Sequence, residues 1–115
     1  YRCDWSSDVC SSDLVLTGNR DDSLDWTDGW TGRVQHVLIR HDKNNGEANR
    51  AIEGDNRADK FDATPLTMPV VSNLTIIGNN FKSAAADSEG ILLRAGSAGK
   101  IYNAIVTGQR PWANV

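Results

Sequence analysis

Several features that would settle a function at once are scarce or missing in this chain. Its 115 residues include 2 cysteines, 2 histidines, 1 methionine and 3 prolines, with aromatics at 7%. Both cysteines, Cys3 and Cys10, fall within the first ten residues, so no disulfide framework and no thiolate metal site can organise the rest. A body without cysteine fits an oxidising or a reducing compartment equally. No run approaches the roughly 18 apolar residues of a membrane-spanning helix. Neither sign of charge dominates: 12 basic and 15 acidic residues leave −3. That balance offers no electrostatic attraction to nucleic acid or to an anionic membrane. There is no phosphate-cradling glycine loop and no nucleophile elbow.

The first residues stand apart from the remainder of the chain. Cys3 to Leu14 reads Cys-Asp-Trp-Ser-Ser-Asp-Val-Cys-Ser-Ser-Asp-Leu, which resembles the translation of a common adapter oligonucleotide used in short-read DNA sequencing. On that reading residues 1–14 are an artefactual or disordered segment to be set aside from the fold. A partial domain then runs over 15–115, cut at both ends. Setting aside Arg2, Asp4, Asp8 and Asp13 leaves 11 basic and 12 acidic residues, a net charge of −1.

The rest of the chain carries an internal repeat. Leu24–His41 lies without gaps over Ile91–Gly108, pairing Gly29 with Gly96, Gly32 with Gly99, Arg33 with Lys100, Val34 with Ile101, His36 with Asn103 and Ile39 with Val106. A third copy lies between them: Val71–Gly78 matches Ile101–Gly108, and Ile52 takes the place of Leu24 and Ile91. This copy is longer, with 19 positions from Ile52 to Val71 where the others have 10. Val15-Leu16-Thr17-Gly18 repeats the end of each unit once more.

Recurrence at this spacing implies a solenoid, a propeller or an array. The closing segment of each copy alternates with a period of two and is rich in β-branched residues, so it reads as a short strand. Asn73 and Asn103 stand at one position just before it, and His36 fills that position in the first copy. Asparagine tolerates the left-handed backbone region, which suits a sharp corner. Asp28-Gly29 and Ala95-Gly96 mark a second kind of turn. Each unit therefore reads as strand, glycine turn, strand, corner, strand and then a variable excursion. These are the coils of a parallel β-helix, an all-β solenoid. A β-propeller fragment is the alternative, but it calls for hairpin signals that are absent here.

The candidate chemistry lies on carboxylates and tryptophans. Asp25 and Glu53 follow Leu24 and Ile52 directly, so stacking would set them at about the 4.8 Å strand spacing. Two such carboxylates repel unless a cation lies between them, which makes Asp25, Glu53 and Asp55 calcium candidates. The other reading is that they are solvated turn residues; Leu92 at the matching place ends the ladder. Trp26 and Trp30 offer either an aromatic platform for a sugar ring or a cover for the core. His36 and His41 lack a second ligand at zinc-like spacing. Arg33 and Lys100 recur as a basic position, and Asn73-Leu74-Thr75 fits a glycosylation pattern inside a corner and strand. Residues 42–69, closed by Pro65 and Pro69, form the least repetitive stretch, an insertion where solenoids commonly place specific contacts.

Leu16–Trp26, Ile52-Glu53-Gly54-Asp55-Asn56 and Gly90–Gly96 resemble a group of exported bacterial proteins with a right-handed, pectin-lyase-like parallel β-helix and no assigned activity. The resemblance covers most of Val15–Gly108. It implies secretion or display at the cell surface, a polysaccharide or surface glycan as partner, and further coils of a longer chain. The same fold class includes polysaccharide lyases and glycoside hydrolases, which is the enzymatic alternative. The Gly-His-Gly and Arg-Ile-Lys patterns associated with pectin-cleaving enzymes are absent. The sequence therefore supports a structural or glycan-binding segment and assigns no catalytic residue.

Overall fold

A computed structural model describes residues 10–42, 48–80 and 89–109. Among them every regular element is a strand: β1 (Cys10–Thr17), β2 (Leu24–Trp26), β3 (Arg33–Arg40), β4 (Ile52–Gly54), β5 (Val70–Ile77), β6 (Ile91–Leu93) and β7 (Lys100–Thr107). The long strands form one parallel sheet in the order β1-β3-β5-β7, and the short strands form a second in the order β2-β4-β6. Consecutive strands thus alternate between sheets, and the chain winds as a parallel β-helix. Among the described residues no helix is long and apolar enough to cross a membrane.

The register follows the repeat. Ile39 pairs with Leu16 below and Ile76 above, and Ile76 pairs with Val106. Leu24, Ile52 and Ile91 form the matching column on the short sheet. Alternate residues of a strand point to opposite faces, so one in-register apolar column becomes the core of the solenoid. Ile39, Ile52, Val71 and Ile76 have no exposed surface at all.

Each long strand bends at one residue in the left-handed region. Asp13, His36, Asn73 and Asn103 have φ of 58, 55, 54 and 50°. These corner residues are level with one another, and the Asn103 amide donates to the Asn73 Oδ1 at 2.6 Å. Asparagine, aspartate and histidine occupy this region more readily than other side chains. The glycine turns are also where the repeat places them. Asp28-Gly29 and Ala95-Gly96 each have two successive positive φ values, and Trp30 N–H to Thr27 O (3.3 Å) and Ser97 N–H to Arg94 O (3.0 Å) close them. The strands they join belong to different sheets, so these are bends within a coil and not hairpins.

Three expectations are corrected. The ladder begins at Cys10 and not at Val15: Cys10, Ser11 and Ser12 pair with Arg33, Val34 and Gln35, and the Asp13 corner repeats those above it. Cys10 itself is disulfide-bonded. The stretch 42–69 is divided by β4, so the extra length of the second coil is the loop 55–69. Finally, Val70 lies between Arg33 and Lys100 in register, so no basic column runs up this face.

Trp26 shows how tightly the coils nest. Its indole runs up the axis past Gly54, where an added Cβ would collide with the ring nitrogen, and reaches Gly99 one coil further on. Gly54→Ala should therefore cost about 1–3 kcal/mol through overpacking. A urea titration followed by tryptophan fluorescence measures it; an unchanged midpoint would show that the indole moves aside freely.

Candidate functional site

The outward side of the short sheet bears the charged cluster. Asp25, Glu53 and Leu92 are in register there, between inward residues. Glu53 is only 7% exposed although it faces outward. The Arg50 Nη1 bonds its Oε2 and the Arg94 Nη2 bonds its Oε1, so two guanidinium groups close over the carboxylate. Arg94 also forks onto Asp55, with Nε to Oδ1 at 2.8 Å and Nη2 to Oδ2 at 3.2 Å. Arg50 donates its Nε to Glu89 at 3.0 Å and its backbone N–H to Asp22 at 2.8 Å. Asp22, Arg50 and Glu89 precede β2, β4 and β6, so the cluster clasps three successive coils on one side.

Burial and like charge shift the titrations here. Asp22 is raised to about 7, first by burial and then by a hydrogen bond shared with Glu53, against the lowering pull of the Arg50 N–H. Asp25 is also raised, by burial and then by Glu53 and Asp55. Arg94 is raised, chiefly by its bond to Asp55. His41, buried beside the same loop, is lowered by desolvation, partly offset by its bond to the Arg50 carbonyl.

The calcium candidates Asp25, Glu53 and Asp55 lie together here, with guanidinium groups on Glu53 and Asp55. Stacked carboxylates do require a cation, and the chain supplies it as guanidinium. Arg94 holds both Glu53 and Asp55, and among the described residues no group of three His, Cys, Asp or Glu side chains is arranged to hold a metal ion. Trp26, offered either as a glycan platform or as a cover for the core, lies inside the coil. Trp26 is 3% exposed and spends its one donor on Ser97 Oγ at 3.0 Å. Trp30 is half-buried, its ring 6.3 Å from that of Trp26 and filling the space in which a side chain on Gly32 would lie. Both tryptophans pack the coil.

The second feature is the loop 55–69. Asn56, with no exposed surface, holds its shape from inside: Nδ2 donates to Phe61 O (2.9 Å) and Ala63 O (3.1 Å), and Oδ1 accepts from Thr67 N–H at 2.8 Å. Thr67, equally buried, accepts from Gly29 N–H at 2.7 Å through Oγ1, and its carbonyl accepts from Ala98 N–H at 2.9 Å. The loop is thereby tied to the turns of the coils before and after it. A cleft of about 180 Å³ opens at its base, lined by Asp28, Gly29, Asn56, Arg57, Ala63, Thr64 and Pro65. Phe61, on the same loop, is 63% exposed.

Sequence reasoning overlooked Arg50, Glu89, Arg94, Asn56 and Phe61. Arg50 and Glu89 lie in irregular segments, where no period marks them. Asn56 carried one signal: it stands two residues past Gly54, level with Asp28, where a turn residue is required.

Two outcomes test the cluster. Arg50→Ala would take from the buried Glu89 the guanidinium beside it and leave Glu53 with Arg94 alone, at a cost of about 3–5 kcal/mol measured by urea denaturation. Because the folded pKa of Asp22 lies above its unfolded value, its contribution is fully present below about 3.8 and is lost as pH rises toward about 7. The melting temperature of the parent chain should therefore fall over that window relative to Asp22→Asn. Parallel pH profiles for the two proteins would rule the shared proton out.

One comparison bears on identity. The family model described as a pectate-lyase like beta helix domain matches residues 6–115. No curated protein and no solved structure matches the chain. The parallel coils, the level corners and this match over nearly the whole length agree, and the chain belongs to the pectate-lyase-like β-helix domain family.

Proposed function

We propose that this segment binds a polysaccharide at the loop 55–69, as part of a secreted or surface-displayed β-helix protein. The observation that carries the reading is the cleft at the base of that loop, with the exposed Phe61 ring on the same loop. Sugar rings present both apolar C–H faces and hydroxyls. An exposed aromatic suits the first, and the carboxylate of Asp28, the guanidinium of Arg57 and nearby backbone groups suit the second. Arg57 is engaged by the exposed Asp59, with Nε to Oδ1 at 2.8 Å. An exposed pair of this kind is worth little, so a ligand can replace it at small cost.

The enzymatic reading has one observation in its favour, the proton that Asp22 keeps up to about pH 7 beside Glu53. Geometry weighs against it. Glycosidases hold their two carboxyl groups about 5–9.5 Å apart so that a sugar and water fit between them. Asp22 and Glu53 instead share a hydrogen bond.

Calorimetric titration with soluble oligosaccharides, neutral and uronate-containing, tests the proposal. Binding should occur with no change in ligand chain length, and Phe61→Ala and Asp28→Ala/Arg57→Ala should each weaken it about tenfold, equivalent to about 1.4 kcal/mol. Binding unaffected by both variants, or none to any glycan, overturns the site. Newly released reducing or unsaturated ends, abolished by Asp22→Asn, would establish the enzyme instead.

A further inference from the structure

The Arg50 peptide is held on both sides by groups that titrate. Its N–H donates to Asp22 at 2.8 Å, and its carbonyl accepts from Ser23 N–H at 3.2 Å and from the His41 ring. The guanidinium of the same residue bonds Glu53 and Glu89. Whatever loosens this peptide therefore loosens the clasp on three coils.

His41 directly follows β3, is 4% exposed and keeps its Nε2 buried with no hydrogen-bond partner. Nδ1 is therefore the nitrogen that carries the proton toward Arg50, and Nε2 bears a lone pair. Arg40 pairs with Ile77 and His41 N–H donates to Ile77 O at 3.0 Å, which sets Gly78 over His41. The Gln109 carboxamide fills the place that a side chain on Gly78 would take, and its own Nε2 is also buried and unpartnered. A second proton on the ring would thus enter a buried position with no acceptor in hydrogen-bond reach, beside an amide that lacks one as well. Charged groups on the surrounding described segments are Arg40 and Asp42 beside it in the chain, Arg20, Asp21 and Asp22 before β2, Arg50 and Glu53 at β4, and Glu89 before β6. The ring's bond is to a carbonyl and not to any of these carboxylates.

We propose that His41 is an acid-released latch: neutral, it holds the Arg50 carbonyl and closes the coil, and protonated, it leaves its place and frees the Arg50 clasp. Burial already pulls its titration below the ordinary histidine value, against the opposing pull of the Arg50 bond. With the folded pKa below the unfolded one, the hold is complete above about 6.5 and is lost as pH falls through the folded value. Asp22 responds with the opposite sign, so the two titrations are separable. This goes beyond the glycan-binding reading and is independent of it.

The test follows the 115-residue chain by nuclear magnetic resonance as pH falls from neutral to acid, reading the His41 ring and the amide exchange rates corrected for their intrinsic pH dependence. The ring should titrate below about 6.5. Over that range the Ser23 and Arg50 amides should lose protection by up to about tenfold per pH unit, while the amides of β3 and β5 keep theirs. In His41→Asn, whose side-chain nitrogen stands in for Nδ1 without titrating, protection at Ser23 and Arg50 should stay level. In Asp22→Asn the acid loss should remain. A ring that titrates at or above about 6.5 overturns the latch in the parent chain alone, whatever the fate of the variants. So does protection that is unchanged while the ring titrates, a loss that persists in His41→Asn, or a loss that spreads equally through β3 and β5.

Discussion

The fold depends on like residues lying above like along one axis. Parallel pairing sets a fixed distance between coils, and only a sequence that returns an aliphatic residue to the same level on every turn can fill the space between the sheets. Leu16, Ile39, Ile76 and Val106 do so on the long sheet, and Leu24, Ile52 and Ile91 on the short one. The corners serve this column. A left-handed residue at one level per coil turns the strand without shifting its alternation, so the residues after the corner still point the way the core requires. Trp26 belongs to the same economy of space: its ring reaches across two coils because glycines at 54 and 99 leave it room.

Charge on the outer face of the short sheet obeys the same stacking and creates a conflict that stacking alone cannot resolve. Placing Glu53 above Asp25 sets two carboxylates one strand apart, and Asp55 lies two residues along. The chain answers with Arg50 and Arg94, drawn from outside the strands, and with a proton held on Asp22. Buried ion pairs of this kind gain little over an apolar core of the same volume, but losing one partner is costly. The cluster links the residues just before β2, β4 and β6 to one another: Arg50 bonds Asp22 of the coil before it and Glu89 of the coil after it.

This division explains what could be read from the sequence. The column, the corners and the glycine turns repeat, and repetition reveals itself in a single chain; the pairing of Ile39 with Ile76 and Val106 needed nothing more. The requirement of Asp25 and Glu53 for a cation was legible too, but its source was not, because Arg50 and Arg94 sit at unrepeated positions and reach the site only through the winding of the chain. Trp26 illustrates the reverse. Its residue type alone left a sugar platform and a core cover both open, and alternation puts it on the inner face, level with Gly54. Applying the period of two to Leu24-Asp25-Trp26 assigns Asp25 outward and Trp26 inward. The start of β1 was hidden for a different reason: the composition of residues 3–14 drew attention to their origin, while Asp13 already had the residue type and spacing of a corner.

The loop 55–69 is where this architecture can carry specificity. Lengthening a connection between two coils costs little in chain entropy, about 0.6 kcal/mol for each doubling, so a solenoid tolerates an insertion that leaves its ladder intact. An insertion that simply hung in water would present no fixed surface. Asn56 changes that, since one buried amide satisfies two carbonyls and one N–H of the loop. Thr67 then ties the returning chain to Gly29 below and Ala98 above, through one hydroxyl and one carbonyl. The cleft therefore has walls set by the coils and not by the loop alone, since Asp28 and Gly29 of the preceding coil line it together with Asn56, Arg57 and Ala63–Pro65. A recognition surface built this way is preorganised, so a ligand bound there spends little of its contact energy on ordering the protein.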